Sequence, residues 1–126
     1  MLYSEGCMAH APCAEYGPEC ASRLEVLLSE TQGALRSSEF KDKVEWKPVT
    51  RKAEITDVVR VHEYNYIAWL LEQCQSLRIQ EQAAVASGGV GLKNKKEEPH
   101  KRLDLDTVIT AASYDAAFLA AGAVVE

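Results

Sequence analysis

The hydrophobic pattern changes period several times along the chain, and each change marks an element. The apolar start Met1-Leu2-Tyr3 suits a short first strand. Residues 4–16 are small or polar, include Gly6 and Pro12, and show no period, which predicts a loop. From Gly17 the pattern turns helical. In GPECASRLEVLLSE, Leu24, Leu27 and Leu28 fall at helical spacing and should face a core. Pro18 suits the first helical position, where its missing N–H costs nothing, and Glu19 complements the helix dipole. Gly33 ends or interrupts this helix before ALRSSEF.

KVEWKPV alternates Val44, Trp46 and Pro48 against Glu45 and Lys47, a strand pattern that Pro48 confines to an edge or an end. The next stretch, TRKAEITDVVRVHEYNYIAWLLEQCQSL, carries two helical stripes. Ile55, Val58, Val59 and His62 share one face; Ile67, Leu70, Leu71 and Cys74 share another. Two consecutive helices are expected, joined near His62 to Asn65. The first part of RIQEQAAVASGGVGLKNKKEEPHKR extends a helix. From Ser87 it becomes Gly-rich and then charged, with Pro99 inside, so residues 87–102 are expected to form a flexible insertion. Glu97 and Glu98 dilute its basic residues, which favours a solvated loop over a nucleic-acid patch. LDLDTVIT is extended, and SYDAAFLAAGAVVE is a helix with Ser113 as its N-cap. The small residues of this helix (Ala116, Ala117, Ala120, Ala121, Gly122) permit close backbone approach. It is apolar nearly all round, which implies burial in a larger body.

A length of 126 residues suits one domain, so residues 1–126 are read as a single unit. The net charge of −5 argues against direct nucleic-acid binding by the whole chain. No apolar run approaches the roughly 20 residues of a membrane span, so no membrane partner is expected. MLYSEGCMAHAPC lacks a basic start and a long apolar block, so no signal peptide is read and an intracellular location, cytoplasmic or nuclear, is expected. The four cysteines, Cys7, Cys13, Cys20 and Cys74, contain no CxxC pair of the kind that structural zinc sites use. Reduced thiols are the expectation for them.

Three stretches in order resemble one family. HAPCAEYGPECASRLEVL is similar to the first loop and helix of the histone deacetylase and acetylpolyamine amidohydrolase family, class II-like. His10, Pro18, Glu19, Arg23 and Leu24 match that motif, whereas Gly17 stands where the family has a second His. AEITDVVRVHEYNYI resembles the family's second motif through His62 and Tyr66, and DTVITAASYDAAFLAAGAVVE resembles its Ala-Ala-Gly helix.

The resemblance implies an α/β fold, part of the three-layer arginase/deacetylase architecture, helix-rich over these residues. It implies zinc-dependent hydrolysis of acetyl-lysine or other acetylated amines. In the family a zinc held by Asp, His and Asp polarises the amide carbonyl, a His-His pair serves as base and acid, and a Tyr steadies the oxyanion. This sequence has only His10, His62 and His100, with no His-His pair and no Asp-x-His. The expectation is therefore the N-terminal portion of such an enzyme, with no catalytic residue and no zinc on this chain alone. Its partners would be the remainder of the domain, or a complementary chain, and an acetylated protein or polyamine in the full-length form. Three candidate residues remain. Arg23 matches an arginine lining the family's internal cavity, against a plain solvent-facing helical arginine. His10 matches a first-loop histidine near the pocket mouth, against a plain loop histidine. Asp106 lies where some members place a substrate-holding rim aspartate, with Asp104 competing for the role. His62 and Tyr66 are expected to fill a helix-pair core. A non-catalytic interaction module, paired through the apolar terminal helix, is the rival reading.

Overall fold

The computed structural model describes residues 1–11, 20–86 and 100–125. These combine four helices with two small two-stranded sheets. The α/β expectation holds at the level of mixed helix and strand.

Strand β1 (Leu2–Tyr3) pairs in parallel with β2 (Lys47–Pro48). The Lys47 N–H donates to the Met1 carbonyl (3.0 Å) and the Val49 N–H to the Tyr3 carbonyl (2.7 Å). Pro48 falls between these two donors, so its missing N–H costs no ladder bond. Tyr3 meets Trp46 edge to face at 5.6 Å, and the Arg36 guanidinium lies 4.0 Å over the Trp46 ring. Strand and edge proline follow the sequence reading.

Helix α1 covers Ser22–Leu28. It starts later than the Pro18 start that the sequence suggested; Pro18 and Glu19 lie outside the described residues. None of its residues is buried, and Leu27 is 41% exposed. The expected core contact of Leu24, Leu27 and Leu28 is not made. Leu24 and Leu27 border a cavity, and the helix rests mainly on the 3₁₀ turn Ala34–Arg36.

Helix α2 (Ile55–Val58) begins with a capping box in which Glu54 and Asp57 serve each other's backbone N–H groups. A turn over 59–62 leads to α3 (Tyr64–Ala86). The two expected helices are present, the first reduced to about one turn. Ile67, Cys74 and Leu77 form the buried face of α3. His62 and Tyr66 are exposed, so they do not fill a core between these helices.

Of the expected insertion over 87–102, residues 87–99 lie outside the described residues. Residues 100–102 are strand: β3 (His100–Arg102) pairs antiparallel with β4 (Val108–Thr110). The connecting turn is closed by Asp104, whose carboxylate accepts the Asp106 N–H (2.9 Å), the Thr107 N–H (2.7 Å) and the Thr107 hydroxyl (3.0 Å). These three bonds hold the Asp104 carboxyl below its ordinary pKa, the Asp106 N–H contributing most.

Helix α4 (Ser113–Val125) is the hub. Ala116, Phe118 and Gly122 are buried. The Ala53 N–H donates to the Phe118 carbonyl at 2.9 Å. A Cβ on Gly122 would collide with the Arg51 carbonyl and come within 2.9 Å of the Ala53 nitrogen. The close approach anticipated from the small residues is thus realised at Gly122, where an extended backbone segment crosses the helix. One core cluster joins Cys74, Leu77, Ile109 and Ala111; another joins Ala53, Ile67 and Phe118. Tyr114 packs against both and stacks on Phe118 at 4.4 Å. Among the described residues no helix is long and apolar enough to cross a membrane.

Candidate functional site

Two segments near the start of the chain line one cavity. A 3₁₀ segment, Glu5–Ala9, lies against α4 and presents Cys7, with His10 as its C-terminal cap. The shared cavity has an open volume of about 290 Å³ and is lined by Cys7 and His10, by Cys20 and Ala21 just before α1, and by Arg23, Leu24 and Leu27 of α1.

His10 is fixed by α4. Its Nδ1 lies 2.8 Å from the Ser113 hydroxyl. That hydroxyl also accepts the Thr110 N–H at 2.7 Å, while the Thr110 hydroxyl accepts the Ala112 N–H at 3.3 Å. These bonds tie the end of β4 to the start of α4. The sequence assigned the cap to Ser113; Ser113 is instead the first residue of α4 and reaches back to Thr110. The Ser113 and Thr110 hydroxyls lie 3.3 Å apart, so Ser113 joins His10 to Thr110, which is 2% exposed.

Cys7 is tied to the same helix, its thiol reaching the Ala116 carbonyl at 3.6 Å. Burial pushes this thiol above its ordinary pKa, so it rests protonated at neutral pH. Cys20 sits 2.9 Å from the Ser22 hydroxyl. Arg23 is solvent-exposed and borders the cavity at the same time. The leucines give this space an apolar wall, and Arg23 and His10 give it a polar one. Such a mixture suits a small anion with a short apolar part, such as a short-chain carboxylate.

The structure therefore brings His10 and Arg23 to one cavity. It does not bring Asp106 there: Asp106 is exposed on the turn between β3 and β4, where Asp104 makes the turn bonds. Ser113 bonds His10, Thr110 bonds Ser113 and Cys7 lines the same cavity, and sequence reasoning gave none of them this role. Ser113 lies 103 residues from His10, and no local pattern reports such a contact. No family model matches this chain, and no curated protein matches it.

A second concavity, of about 730 Å³, lies between α2, α3 and α4 and is lined mainly by apolar side chains, including Val58, Val61, Tyr66 and Val124. His62 is on its wall. Among the described residues no three His, Cys, Asp or Glu side chains come together as a metal ion requires.

Proposed function

We propose that this chain is the N-terminal portion of a zinc-dependent, deacetylase-like amidohydrolase acting on acetyl-lysine or acetylated amines. In this reading it belongs to a three-layer arginase/deacetylase-like fold. Its contribution is to shape the walls around the reaction: the cavity bordered by Arg23 and His10 receives a small carboxylate, and Asp106 stands on an exposed turn suited to a substrate rim. The hydrolytic groups, a His-His pair and an Asp-x-His, are not in this sequence and would come from the remainder of the domain or a complementary chain.

What supports the reading is the convergence of the three motif stretches on α4. The first arrives through His10 and Ser113, the second through Ala53 and the Phe118 carbonyl, and α4 is itself the third. Sequencing the transcript past the Glu126 codon tests it. An open frame leading into Gly-x-His-His and later Asp-x-His supports the proposal. A frame without them, and no separate chain that supplies them, overturns it.

The rival reading, a non-catalytic interaction module, draws on the apolar groove, where Val61 is 80% and Val124 85% exposed. Zinc content and oligomeric state, measured on the native assembly, separate the two: stoichiometric zinc favours the enzyme, and a zinc-free complex favours the module.

A further inference from the structure

Two free thiols, Cys7 and Cys20, line the same 290 Å³ cavity. We propose that they form a reversible disulfide which draws α1 onto the 3₁₀ segment Glu5–Ala9 and closes the cavity over His10 and Arg23.

The mobile partner in this closure is α1. It is one of the least anchored helices here: seven residues, none buried, resting mainly on a 3₁₀ turn that itself has no buried residue. The fixed partner is Cys7, whose segment packs along α4 and whose thiol bonds the Ala116 carbonyl. A disulfide needs its two Cβ atoms within about 4 Å, so the bond would hold α1 beside the segment that carries Cys7, with Leu24 and Leu27 of the cavity lining drawn toward it. The third described cysteine, Cys74, is 2% exposed in the core and takes no part.

The chemistry balances with a low-molecular-weight disulfide such as glutathione disulfide as the oxidant. Cys20 attacks as the thiolate. One glutathione leaves, carrying the proton that Cys20 gave up, and a mixed disulfide remains on Cys20. Cys7 then loses its proton and attacks the Cys20 sulfur, and the second glutathione leaves. Two protein thiols are oxidised and one glutathione disulfide is reduced to two thiols.

The inference stands apart from the deacetylase-like reading, because its readout is thiol chemistry and needs no hydrolytic activity. The full chain is incubated with glutathione disulfide under native conditions, alkylated, digested and mapped by mass spectrometry. A Cys7–Cys20 cross-link as the main intramolecular product is expected. The link should vanish in Cys7→Ser and in Cys20→Ser, return to free thiols on reduction, and slow proteolysis within α1 at least several-fold. Alkylatable Cys7 and Cys20 after oxidation overturn the proposal. So does a dominant link through Cys13, or cross-links between chains only.

Discussion

His10 is held by a hydroxyl that already bonds the backbone where β4 turns into α4. Ser113 accepts the Thr110 N–H and hydrogen-bonds His10 Nδ1, so loss of Ser113 removes two bonds at once. Ser113→Ala should destabilise the chain by about 1–2 kcal/mol, and His10→Ala by about 1 kcal/mol. The double variant should cost less than the sum, since the two side chains share one bond, and denaturant titration of the four species measures the difference. Asp115 gives a pH-dependent counterpart. It accepts Lys52 Nζ at 2.6 Å and Arg78 Nη2 at 3.0 Å, while Arg78 also donates to the Ala111 carbonyl at 3.2 Å. Lys52 first and Arg78 second hold the Asp115 carboxyl below its ordinary pKa. The unfolded state therefore takes up the proton more readily. This stabilisation is fully present above the unfolded pKa of about 4 and is lost as pH falls through the lower folded value. All three side chains are more than a third exposed, so the contribution is at most about 1 kcal/mol. Thermal unfolding midpoints of Asp115→Asn should fall less steeply than those of the parent chain below about pH 4. Asp104 is shifted in the same direction, so some slope remains.

At the scale of elements, α4 was legible because its composition states its role. A helix of small and apolar residues is useful where backbone must pass close by, and Gly122 lies under the Arg51–Ala53 segment. Gly122→Ala places a methyl group against backbone atoms that have no flexible end to yield. It should destabilise by about 1–3 kcal/mol although alanine is the better helix former. Ala120→Gly, on an exposed position of the same helix, should cost only about 1 kcal/mol, and comparing the two unfolding midpoints isolates the clash from helix propensity. Strand β1 was readable from its apolar start, β2 from alternation and a proline, and α3 from its stripe of Ile67, Leu70, Leu71 and Cys74. Helix α1 was readable as a helix but not as a peripheral one, because spacing reports which residues share a face and not what that face meets. Strand β3, His100-Lys101-Arg102, carries no alternation at all; its pairing with β4 comes from the turn that Asp104 closes. The cavity was legible only through the resemblance that singled out His10 and Arg23. Its other walls are long-range consequences of packing on α4.

For the molecule as a whole, the balance of buried and exposed apolar surface is the unsettled quantity. The two core clusters are small and joined mainly through Tyr114, while Val61, Val124, Val125 and Tyr66 remain exposed around the groove between α2, α3 and α4. An apolar concavity of this size in water is a place where a hydrophobic probe or partner surface gains by binding. The exposed valines contribute little to the chain's own stability, because they are already in contact with water in the folded state. Val61→Asp combined with Val124→Asp should therefore move the unfolding free energy by no more than about 0.5 kcal/mol per site. The same pair of charges should sharply reduce the fluorescence of an anilinonaphthalene sulfonate dye bound to the native chain, since they desolvate poorly and repel the anionic dye. Phe118→Ala serves as the opposite control: it removes a ring that is 7% exposed in the core and should cost about 3–5 kcal/mol. A dye signal that persists in the double aspartate variant would place the accessible apolar surface elsewhere. A large loss of stability in that variant would mean that Val61 and Val124 already pack against something in the native chain.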